Sequence, residues 1–138
     1  MGEGRQGRGP ARRRSAILIV GEEGDVLGRY ARSFGAYGYA VDFASDEDSA
    51  ARLASEKEFD VIVKDIDTRD LDDGESLRHL RERHRRVPVV VLSSGLAFAS
   101  ARAAICCGAY KYLVKPVSDE RLLEVLVEAM RDAPSPRH

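Results

Sequence analysis

The sequence has no tryptophan, two cysteines, three histidines and no long apolar run. Each shortage excludes something. No stretch approaches the roughly 18–20 apolar residues that a membrane span needs, so no membrane partner is expected. Cys106 and Cys107 are adjacent. Neighbours on a helix point about 100° apart and cannot easily bridge each other. No other cysteine and no histidine lies at ligand spacing, so a zinc or redox centre is not expected, and the pair reads as two small apolar helix residues. Residues 1–16 carry basic side chains without an apolar core, which does not fit a secretory signal. Gln6 stands where a myristoylation pattern requires Ser or Thr. A cytoplasmic protein is expected. His79, His84 and His138 read as solvated.

What is present suits one soluble domain. A chain of 138 residues, 43% hydrophobic and 33% charged, can bury a core without disulfides or a structural metal. The net charge of −1 hides an asymmetry. Five arginines (Arg5, Arg8, Arg12, Arg13, Arg14) against Glu3 make the first 14 residues +4, which leaves −5 for the remainder. An acidic body argues against direct nucleic-acid binding. Residues 1–15 are rich in Gly and Arg with no apolar periodicity, and are expected to be a disordered tail. Gly2, Gly4 and Gly7 match a dinucleotide-binding pattern by letter, but no strand precedes them.

The body alternates between two periodicities. Ala16-Ile17-Leu18-Ile19-Val20 is a continuous apolar run, as expected of a strand buried on both faces. Val26, Leu27, Tyr30, Ala31 and Phe34 form one helical stripe. Residues 39–44 read as a second strand. Ser45, with Asp48 three residues on, resembles a capping box that opens a second helix. Asp60 to Lys64 reads as a third strand, followed by a polar loop and a helix with Leu77 and Leu80 inward. Val89 to Leu92 reads as a fourth strand. Residues 97–107 read as a small-residue helix that Gly108 is expected to end. Residues 110–114 make a fifth strand. Ser118 caps a last helix whose inward face is Leu122, Leu123, Leu126 and Met130. Five β-α units imply an α/β fold: a parallel sheet with helices on both faces. The body is expected over 16–131, with 132–138 a short C-terminal tail.

Ligands of an open parallel sheet bind at the carboxyl ends of its strands. After the first strand come Gly21, Glu22 and Glu23. The second offers Ser45 and Asp46, the third Asp65 and Asp67, the fourth Ser93 and Ser94, the fifth Lys115 and Pro116. Carboxylates gathered at one cleft repel unless a cation joins them, and hard oxygen ligands suit Mg²⁺. An aspartate can attack phosphorus once a metal and a lysine neutralise the phosphoryl oxygens. A bare nucleotide phosphate would be repelled by Glu22 and Glu23, and no P-loop sequence is present.

These segments resemble the receiver domains of bacterial two-component response regulators, from about Ala16 to Met130. The resemblance is carried by Ile17-Leu18-Ile19-Val20 followed by acids, by Phe59-Asp60-Val61-Ile62-Val63-Lys64-Asp65-Ile66, by Pro88-Val89-Val90-Val91-Leu92-Ser93, and above all by Gly108-Ala109-Tyr110-Lys111-Tyr112-Leu113-Val114-Lys115-Pro116. It implies a flavodoxin-like (βα)5 three-layer sandwich with strand order 2-1-3-4-5. It also implies roles. Asp65 is the phosphoacceptor. Glu22 holds Mg²⁺ with Asp65, Asp67 offers its backbone carbonyl, and Glu23 is a further candidate ligand. Ser93 is the hydroxyl that moves to the phosphoryl group, and Tyr112 is the aromatic that turns inward with it. Lys115 pairs with a phosphoryl oxygen, and the Lys115–Pro116 bond is cis. The implied partner is a sensor histidine kinase or phosphotransfer protein. A homodimer face is implied at the fourth helix, fifth strand and fifth helix. Such a domain promotes its own phosphorylation and slow hydrolysis but is not a turnover enzyme.

The chain departs from the family at two places. Gly21 stands where the family has the first of two acids, so one carboxylate is lost and weaker Mg²⁺ binding is expected. The loop after Asp65, residues 67–74, is strongly acidic, with Arg69 where proline is common. Two rival readings stay open. One is a receiver that works as an interaction module without phosphorylation. The other is a small flavodoxin-like enzyme or cofactor carrier.

Overall fold

The computed structural model describes residues 14–21, 24–66, 73–93, 105 and 108–133, without the side chains of 73–76. The expectations for residues 1–13 of the N-terminal tail, for Glu22, Glu23, Asp67, Ser94, residues 67–72 of the acidic loop, both cysteines, His138 and residues 134–138 lie outside these residues. Asp73 and Gly74, expected in the loop, are helical, and Asp132, expected in the C-terminal tail, is the last residue of the final helix. So does the helix expected over 97–107, apart from Ile105, which is helical and exposed.

The described elements are β1 (Ala16–Val20), α1 (Asp25–Ala36), β2 (Ala40–Ala44), α2 (Glu47–Glu56), β3 (Val61–Ile66), α3 (Asp73–Arg83), β4 (Val89–Ser93), β5 (Lys111–Val114) and α4 (Asp119–Asp132). The strands form one parallel sheet in the order β2-β1-β3-β4-β5. Every residue of β1 and β4 is buried. That is why these strands read as unbroken apolar runs.

Alternation along the strands divides the core in two. Leu18, Val20, Ile62, Val89 and Val91 pack with Ala50, Leu77 and Leu80 on the face covered by α2 and α3. Ile17, Ile19, Val61, Val63, Val90 and Leu92 pack with Tyr30, Phe34, Leu122 and Leu126 on the face covered by α1 and α4. Each large side chain buried this way stabilises the fold by roughly 1.5–3 kcal/mol.

Several local expectations change. Asp46, not Ser45, caps α2: its carboxylate accepts from the Ser49 amide at 2.8 Å. That bond holds the Asp46 carboxyl below its usual pKa. Val26 is 43% exposed because Leu27, Tyr30 and Phe34 take the inward line of α1. On α4 the buried face is Leu122, Val125, Leu126 and Ala129, while Leu123 and Met130 only flank the core. The spacing i, i+3, i+4, i+7 selects the smaller residues over the two longer ones. Ser118 does cap α4, accepting from the Arg121 amide at 3.0 Å. His84 is not solvated: its Nε2 is buried without a hydrogen-bond partner. Burial, helped by the charge of Arg83, pushes its pKa down. His79 is half-exposed, 3.8 Å from Glu47.

Candidate functional site

β3 continues two residues beyond its expected end, so Asp65 is the penultimate residue of the strand. It stands opposite Leu92 in the register, and the next pair is Ile66 with Ser93. Ser93 in turn pairs with Val114, the last residue of β5. Lys115 follows at once. The carboxyl ends of three adjacent strands therefore present Asp65, Ser93 and Lys115 at one rim.

Lys115 crosses the end of β4 to reach Asp65. Its Nζ lies 2.7 Å from Asp65 Oδ1, and both side chains keep about a fifth to a quarter of their exposure. The pair is thus shielded from bulk water but open to a small ligand. Ser93 lies between the two strands and is fully buried. The Lys115 amide donates to the Ser93 carbonyl at 2.8 Å, and the Lys115–Pro116 peptide is cis. Tyr112 packs its half-buried ring against the core under α2 and α3. Its hydroxyl is buried without a hydrogen-bond partner.

Gly21 closes the other side. Its amide donates to the Ala44 carbonyl at 2.9 Å, which carries the β1–β2 pairing one residue further. A Cβ at position 21 would stand 2.7 Å from Asp65 Cβ and 3.5 Å from Asp65 Oδ2. The backbone therefore approaches Asp65 as only glycine allows. With Oδ1 on Lys115, Oδ2 lies on the side of Gly21. Mg²⁺ commonly takes one or two protein carboxylates and keeps other positions for water and phosphate. One such oxygen at the rim fits that habit. Among the described residues, no group of three or more His, Cys, Asp or Glu could hold an ion.

Sequence reasoning missed one residue near the site. Tyr30 of α1 is 1% exposed, and its hydroxyl donates to the Val117 carbonyl. Burial pushes the phenol pKa up, against the opposing charge of Arg29. The only signal in the sequence was a tyrosine in an otherwise apolar stripe.

A family model described as the response regulator receiver domain matches residues 17–127. The chain belongs to this family. Among curated relatives of the receiver, the transcriptional regulatory protein PrrA of Mycobacterium tuberculosis is 37% identical over 100 residues, covering 72% of this chain and 43% of that protein. The receiver thus spans less than half of that relative. A response regulator from Thermotoga maritima superposes with a TM-score of 0.78 over 87% of this chain and all of that one; at 20% identity this speaks for the fold alone. A response regulator from Burkholderia pseudomallei has a TM-score of 0.69 and 27% identity, covering 86% of this chain and 73% of that one. That protein was crystallised with a phosphorylated aspartic acid, a calcium ion and citrate. Receiver domains are signalling domains rather than turnover enzymes, and no helix among the described residues is long and apolar enough to cross a membrane.

Proposed function

We propose that the receiver accepts a phosphoryl group on Asp65 and uses it as a two-state signal. The observation that carries this reading is the 2.7 Å contact between Lys115 Nζ and Asp65 Oδ1 across the end of β4. A carboxylate beside one cation, at the open rim of a parallel sheet, can attack phosphorus. The phosphoryl oxygens then need the positive charge that the carboxylate gives up.

The donor would be a phosphohistidine on a sensor kinase or phosphotransfer protein. The Asp65 carboxylate attacks phosphorus in line, an O–P bond forms, and the P–N bond breaks with its electron pair returning to the imidazole. Lys115 exchanges Asp65 Oδ1 for a phosphoryl oxygen. Ser93 and Tyr112 are the residues whose rearrangement would report the acyl phosphate to the surface. Asp65, Glu22 and the Asp67 backbone carbonyl would hold Mg²⁺, with Glu23 as a further ligand; when bound, the ion supplies charge neutralisation at the phosphoryl group.

On this reading the working unit is 16–131, it acts in the cytoplasm, and it switches contacts with a partner or with a second copy through the face of β5 and its flanking helices. The acidic body takes no direct part in nucleic-acid binding. The test is incubation with acetyl phosphate and Mg²⁺, followed by intact-mass measurement. A gain of one phosphoryl group that is lost in Asp65→Asn supports the proposal. No adduct at saturating donor overturns it in favour of a non-phosphorylated interaction module.

A further inference from the structure

We infer that Tyr30 is a positioning residue for Lys115, holding from α1 the connection on which the lysine sits. This rests on the reading of Lys115 as the partner of the phosphoryl group, and extends it to a residue on a different element.

Lys115 follows a four-residue edge strand, and α4 begins only at Asp119. An edge strand of this length is held on one side only, by β4. The connector has three further ties. At its start the Lys115 amide donates to the Ser93 carbonyl. At its end Ser118 caps α4. In the middle, the Val117 carbonyl accepts from the Tyr30 hydroxyl, 87 residues away in the chain. The middle tie is a side-chain hydrogen bond that anchors the connector to α1, on the same face of the sheet.

Tyr30 is well placed to act as a fixed point. Its ring is buried and stacks on Phe34, with centroids 5.9 Å apart and planes 8° from parallel. The rotamer is therefore locked by packing, and the hydroxyl has one direction to point. Without that donor, the Val117 carbonyl would lose its protein partner beside a buried side chain. A second contact joins the same two segments: Arg29 Nε lies 3.4 Å from Asp119 Oδ1. It is an ion pair rather than a hydrogen bond, and although the Asp119 oxygen is buried the Arg29 side chain is 57% exposed, so it contributes less. Together they fasten α1 to the start of α4, with Lys115 just ahead of the fastening.

Tyr30→Phe keeps the ring and removes only the hydroxyl. Phosphoryl uptake from acetyl phosphate should fall on the order of tenfold, as for a charged group displaced by a fraction of an ångström. In a Lys115→Ala background the same change should have no further effect, because the residue it positions is gone. An equal loss in both backgrounds, or none in either, overturns the inference in favour of a purely structural tyrosine. A crystal structure of Tyr30→Phe gives a readout that does not depend on phosphorylation. The inference requires Lys115 Nζ to leave hydrogen-bond range of Asp65 or to become disordered, and an unchanged contact refutes it. If the unmodified protein takes up no phosphoryl group, the proposed function fails, while the crystal structure still decides the role of Tyr30.

Discussion

Gly21 and Asp65 meet so closely that a Cβ on the glycine would lie 2.7 Å from the Cβ of the aspartate. The first loop therefore does more than lack the acid usual in this family. Its backbone occupies the space that an acid's stem would need.

Restoring that acid should be harmful. Gly21→Ala and Gly21→Asp are both expected to destabilise the fold by roughly 1–3 kcal/mol through overpacking against β3. Urea denaturation measures this directly. A Gly21→Asp variant as stable as the natural sequence, with tighter Mg²⁺ binding, would show that the loop opens freely.

Lys115 should matter for uptake and little for stability. Lys115→Ala is expected to slow phosphoryl uptake by about 10²-fold, the scale seen when one charge-stabilising donor is removed. Lys115→Arg should rescue poorly, because a planar fork does not replace a point charge at 2.7 Å from a carboxylate. The rates can be followed by intact mass against time.

Much of this arrangement was legible in the sequence. The apolar runs of β1, β3 and β4 marked these strands because their apolar residues are buried. The ends of β3, β4 and the half-buried β5 put Asp65, Ser93 and Lys115 at one rim. The errors have physical causes. Leu123 and Met130 are strong apolar signals, yet α4 turns Val125 and Ala129 inward instead. His84 sits among Arg83, Arg85 and Arg86 and looked solvated, but its ring is folded against the body. Tyr30 could not be placed, because its partner Val117 is far along the chain and is a backbone atom. The missing acid at Gly21 was visible, but the contact with Asp65 is a fact of three dimensions only.

His84 should make stability depend on pH. Its folded pKa lies below the ordinary value of 6.5 because of burial and Arg83. The unfolded chain then binds the proton more readily, so stability rises with pH in this window. It should be fully present above about pH 6.5 and decline as pH falls through the folded pKa. Urea midpoints between pH 7.5 and about 5 measure the slope, and His84→Leu should flatten it. A slope unchanged in His84→Leu would assign it to other groups.

The Tyr112 hydroxyl is buried without a hydrogen-bond partner. Its removal should therefore cost nothing, and Tyr112→Phe is expected to be neutral or more stable by about 1 kcal/mol. A clear loss of stability in thermal or urea unfolding would mean that the hydroxyl has a partner in solution.

The assignment of Asp65 as the phosphoacceptor is tested most directly by trapping. Borohydride reduces an aspartyl phosphate to homoserine, and peptide mapping after treatment with acetyl phosphate and Mg²⁺ locates the changed residue. Homoserine at position 65 alone is the expected result. Homoserine at another aspartate, or none anywhere in the chain, contradicts it.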